Sequence, residues 1–136
     1  RSTSSAASDV YKRQLFTFLL LDAIWLGFVA RGFYARELSL YLTDNVNWAS
    51  AFIFYIIFNI GLLIFVILPS IEKNSYSMLV IYALLYGLVT FATYDLTNLA
   101  TVKDWPLLVS LVDMLWGMFV AFSAASVAFY ANKYFF

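Results

Sequence analysis

Apolar positions in this chain come in four long runs rather than in stripes. They are Leu15–Ala30, Trp48–Leu68, Ser77–Leu99 and Pro106–Tyr130. The last three are long enough to cross a bilayer, which takes roughly 20 residues as a helix. Hydrocarbon admits only helices or closed barrels, and period-two alternation is absent, so the pattern predicts helices. Asn47 and Asp104 precede two of the runs and are expected as N-caps. Pro106 suits a first turn, where its missing N–H costs nothing. The charged links Ile71–Tyr76 and Thr101–Trp105 are short, which makes the last three helices antiparallel neighbours. The link Arg31–Asn47 is longer. Its Phe33, Tyr34, Leu38, Tyr41 and Leu42 recur near helical spacing, predicting a short amphipathic helix at the interface. The expected fold is an all-α integral membrane bundle: four transmembrane helices, about 15–30, 48–68, 77–99 and 106–130, with a short interfacial segment between helices 1 and 2.

Composition strengthens this picture. Hydrophobic residues make up 64% and charged residues 12% of the 136, against roughly 25% charged in soluble domains. Net charge is zero, so the chain lacks a basic footprint for nucleic acid. It contains no cysteine and no histidine, which removes thiol chemistry, His-based zinc sites and Ser-His hydrolysis. No nucleophile motif or cofactor loop stands out. The expectation is therefore a non-enzymatic protein without a cofactor.

Against this background three acids become conspicuous. Asp22, Asp95 and Asp113 lie inside apolar runs that hold no basic residue from Leu15 onward. A carboxylate in hydrocarbon is costly, so such residues are functional-site candidates. At 1.5 Å per residue, they fall roughly 13, 6 and 10 Å inside the same membrane face. Asp113, Gly117, Ala121 and Ala125 form an i, i+4 row whose small residues let another helix approach. That row should carry Asp113 inward. Trp25 and Trp116 each follow an acid by three residues, placing each indole near its own carboxylate, and the two should bracket the acid layer. Tyr94 and Asn98 add polar groups at that depth, and Asn59 shares a face with Tyr55. Trp48, Trp105 and Tyr130 are expected as interface anchors.

Two resemblances bear on boundaries and identity. Ser4 to Gln14 resembles the in-frame translation of a transposon-type sequencing adapter. Residues 1–14 are accordingly expected to be non-native and to stay unpacked, leaving 15–136 as a single transmembrane domain with a shortened first helix. The segments Asp22–Gly27, Ala30–Tyr34, Tyr94–Thr101, Trp105-Pro106 and Asp113–Gly117 resemble a bacterial membrane-protein family, domain of unknown function 2177. That resemblance implies about four spans in a bacterial cytoplasmic membrane and no assigned activity.

The residues support two principal readings. In one, Asp22, Asp95 and Asp113 bind a proton, a cation or the polar end of a ligand in a transporter, channel-like protein or sensor. Trp25, Trp116, Tyr94, Asn98 and Asn59 then shape the site. In the other, the acids are protonated latches between helices of an accessory subunit. A lipid-modifying enzyme is a third reading, using two acids as acid and base. Expected partners are the lipid bilayer, the proton, cation or ligand, and a further copy of the chain.

Overall fold

A computed structural model describes the backbone of residues 3–135 except Asp44, and side chains from Ser5 to Lys133 with the same exception. No strand occurs among the described residues. Helix α1 covers Thr3–Ile24 and runs on through a π-helical turn, Trp25–Val29. After a bend of 66° comes α2, Arg31–Glu37. Helix α3 spans Trp48–Glu72, α4 Tyr76–Thr101 and α5 Leu107–Phe135. The last three are long and apolar enough to cross a membrane, and a fourth span results if α1 and α2 count as one bent crossing. Phe28, Ile57, Phe65, Ile81 and Leu115 are exposed, the surface expected of a protein solvated by lipid.

Local chemistry explains most boundaries. Asn47 caps α3, its side chain accepting from the Ser50 amide at 3.1 Å. Ser75 does the same for α4 through Met78 N–H at 3.1 Å. Helix α3 was expected to stop before Pro69, yet it continues to Glu72. A proline ring clashes with the carbonyl four residues back. Here the wider π turn at Leu63–Ile67 lies just ahead of Pro69 and gives that carbonyl room. Asp104 is not a cap. It takes a left-handed φ of 59° in the link before α5, much as Asn74 does at 48° in the α3–α4 link. Both are residue types that tolerate this region.

The most extensive packing is α4 on α5, followed by α1 on α5. A Cβ on Gly87 would lie 2.4 Å from the Gly117 carbonyl oxygen and 2.8 Å from Met118 Cα. Only glycine permits that approach. Beyond this crossing Val120, Ala121, Ala124, Ala125 and Ala128 are all fully buried, so the predicted small row does face protein. Residues 3–14, expected to stay unpacked, form the first turns of α1, with Val10 and Gln14 buried. Gln14 Nε2 donates to Asn59 O at 2.7 Å and to Asn59 Oδ1 at 2.9 Å. Burial says where these side chains sit and is silent on their origin.

The short helix expected between the first two long ones is present as α2. Leu38 at its end is buried with Trp105 and Val109, and Phe33 and Tyr34 pack against them. Trp105 is therefore not an exposed anchor, because α2 folds back over it. Trp48, by contrast, is 63% exposed.

Candidate functional site

The three acids lie on three helices, and each meets a different environment. Asp22 on α1 is fully provided for: Tyr55 O–H on α3 donates to its Oδ2 at 2.8 Å, and Trp116 Nε1 on α5 donates to its Oδ1 at 3.1 Å. Asp113 on α5 has a donor on one oxygen, Tyr34 O–H at 3.0 Å. The Tyr34 oxygen accepts in turn from Trp25 Nε1 at 3.2 Å. Asp95 on α4 is fully buried, and neither carboxyl oxygen meets a donor. What faces it is the Asp113 carboxyl, close enough to hydrogen-bond once one of the two carries a proton.

The tryptophans are arranged differently from the expectation. Each was to serve its own helix's acid, the pair bracketing the layer. Instead Trp116 reaches across to Asp22, and Trp25 reaches Asp113 only through Tyr34. The indoles stack face to face, 4.5 Å apart and 6° from parallel. Helices α1 and α5 pack together, so rings expected at two levels meet at one.

Asp113 is the junction of the site. It borders three cavities. One, of about 390 Å³, has Phe54, Thr90, Phe91 and Tyr94 in its wall. A second, of about 380 Å³, reaches Asp95, Tyr34 and the exposed Arg31 beneath α2. The third, of about 200 Å³, holds Asp22, Trp25, Trp116 and Tyr55. Tyr94 lines the first two. Asn98 does not line any of the three; its side chain meets Tyr94. Asn59 is also away from them. It is buried, donates through Nδ2 to Tyr55 O at 2.8 Å and so braces the helix that presents Tyr55.

Sequence reasoning missed Tyr34 and Tyr55 as partners of the acids. A signal existed: acids without basic neighbours need neutral donors, and tyrosines within or beside the apolar runs can supply them. Arg31 was not among the expected site residues. It borders the Asp95 cavity, so a cation does stand at the edge of the acid layer. Among the described residues no group of three or more acids, histidines or cysteines is placed to hold a metal ion. The three aspartates thus approach as a close pair plus a separately bonded third.

Apolar helices around a partly bonded acid layer define a small multi-pass membrane protein. The chain belongs to a particular family of that class: the family model described as "Predicted membrane protein (DUF2177)" matches residues 8–130. No curated protein and no solved structure matches the chain.

Proposed function

We propose that the Asp95–Asp113 pair is a binding site for a proton, a cation or the polar end of a ligand, in a transporter or sensor of the bacterial cytoplasmic membrane. One observation carries this: Asp95 is buried without any donor to either carboxyl oxygen. An unmet buried polar atom costs about 1–3 kcal/mol, and the Asp113 carboxyl is the group that faces it. Two facing carboxyl groups are both acceptors when ionised. They come to terms only by sharing a proton or a cation. The cavities around Asp113 offer such an ion a place to arrive.

Asp22 supports the latch reading for itself alone. Both its oxygens are bonded, by donors from two other helices. The acid layer then divides into one latch and one site.

The test is purified protein in liposomes, followed by pH- and cation-dependent flux and by infrared difference spectra of the carboxyl bands. Asp113→Asn keeps the shape and should fold. It should remove the titrating carboxyl band and any pH-dependent flux. A variant that titrates and transports like wild type would eliminate the pair as the site.

A further inference from the structure

Asp95 wants a donor, and its cavity constrains what kind. Leu26, Leu38 and Val109 form apolar walls. Tyr34, Tyr94 and Trp105 supply aromatic surface, with the last two rings edge to face at 5.9 Å. The Trp105 N–H is already committed to Ser110 Oγ at 3.1 Å. That hydroxyl donates onward to the Asp95 carbonyl at 3.1 Å. Trp105 therefore offers the cavity its ring, not its donor, while the relay holds Asp95 in place.

Paired carboxyl groups with aromatic side chains beside them suit an organic ammonium ion, which gains from charge and, over a ring, from cation–π contact. Apolar walls suit an organic body. The volume, about 380 Å³, falls in the range of roughly 300–1,000 Å³ common for small-ligand pockets. A bare divalent ion fits less well, since hard cations such as Ca²⁺ and Mg²⁺ take about six or more oxygen ligands and the described residues hold no three-ligand cluster.

We propose that this cavity binds a small organic ammonium ion with an apolar body, its charged nitrogen taking the place of the proton shared by Asp95 and Asp113. The inference rests on the pair being a binding site. One positive charge enters as one leaves, so the net charge of the site is unchanged and one proton is released per ligand. The other charged or titratable groups facing the pair are Tyr94 on α4, Tyr34 and Arg31 on α2, and Asp22 on α1 with its donor Tyr55 on α3. The tyrosines stay neutral near pH 7, and Asp22 keeps its two donors throughout. A free amine and the headgroup of an ethanolamine lipid present the same ammonium chemistry.

The experiment uses the full chain in phosphatidylcholine nanodiscs, with phenethylamine as probe and 2-phenylethanol as its uncharged counterpart. Calorimetry should find the amine at least tenfold tighter than the alcohol. Repeated in buffers of different ionisation enthalpy, it should find about one proton released per amine. Affinity should then tighten with rising pH, by up to tenfold per unit. Asp95→Asn should weaken the amine at least tenfold. If that variant does not fold, proton release from the wild type decides by itself. Equal affinity for amine and alcohol, or binding without proton release, overturns the proposal. A pair that titrates in the infrared yet binds no amine removes the ammonium ion and leaves the acid site standing; a pair that does not titrate removes both. In phosphatidylethanolamine nanodiscs, weaker apparent amine affinity assigns the site to the lipid headgroup, and unchanged affinity assigns it to a free amine.

Discussion

Helix α5 changes character at Gly117. From Val120 to Ala128 its inward side is valine and alanine, fully buried and pressed against neighbouring helices. From Leu107 to Trp116 the same helix carries Ser110, Asp113 and an indole bonded across to α1, with cavities around it. Interdigitated small residues give close packing, which is the main source of helix association in lipid. Polar groups and voids give it up. The bundle interior is thus closed at one end and left open at the other. A shallow outer groove of about 730 Å³ runs between α1 and α5 beside Ser126, Val127, Tyr130 and Ala131 at the closed end. Close packing and polar groups thus occupy separate lengths of one helix.

The sharpest break of this comparison is a single methyl group. Gly87→Ala places a carbon against the α5 backbone. Neither chain can yield without parting the helices, so a loss of about 2–3 kcal/mol is expected. Gly27 at the open end has nothing within 4 Å of its added carbon, and Gly27→Ala should be neutral. Unfolding of both variants in mixed detergent micelles measures the pair. Equal losses would mean that the two ends are not differently packed.

Next come the aspartates, which should differ in stability. Asp22→Leu strands Tyr55 O–H and Trp116 N–H, at a cost of about 1–2 kcal/mol for two membrane hydrogen bonds. Tyr34→Phe removes the donor to Asp113 and the acceptor for Trp25 and should cost about 1 kcal/mol. Asp95→Leu strands no tyrosine or indole donor, since its oxygens face only the Asp113 carboxyl. It should change stability by less than about 0.5 kcal/mol, or raise it, while abolishing any binding at the pair. A large loss for Asp95→Leu, matching Asp22→Leu, would make both acids latches.

The same comparison marks how far the sequence could be read. The closed half was legible because its information is local. Run length announced the spans, and the Gly117–Ala121–Ala125 spacing a buried face. The open half was legible in content but not in pairing. Asp22, Asp95 and Asp113 stood out by polarity alone. Which donor serves which acid depends on which helices are neighbours, and spacing along one helix does not encode that. Hence Trp116 was assigned to Asp113 and turned out to serve Asp22. Pro69 and Asp104 failed for a related reason: a π turn ahead of one, and a left-handed link for the other, override residue preference.

The stacked indoles have an optical consequence. Two parallel chromophores 4.5 Å apart do not absorb independently; their excited states mix. The pair should therefore give an exciton signal in circular dichroism that Trp48 and Trp105 do not share, and that disappears in either Trp25→Phe or Trp116→Phe. One ring is tied to Asp22 and the other, through Tyr34, to Asp113. Any event that moves the acid layer should then change the colour of the protein in the ultraviolet, with no label attached.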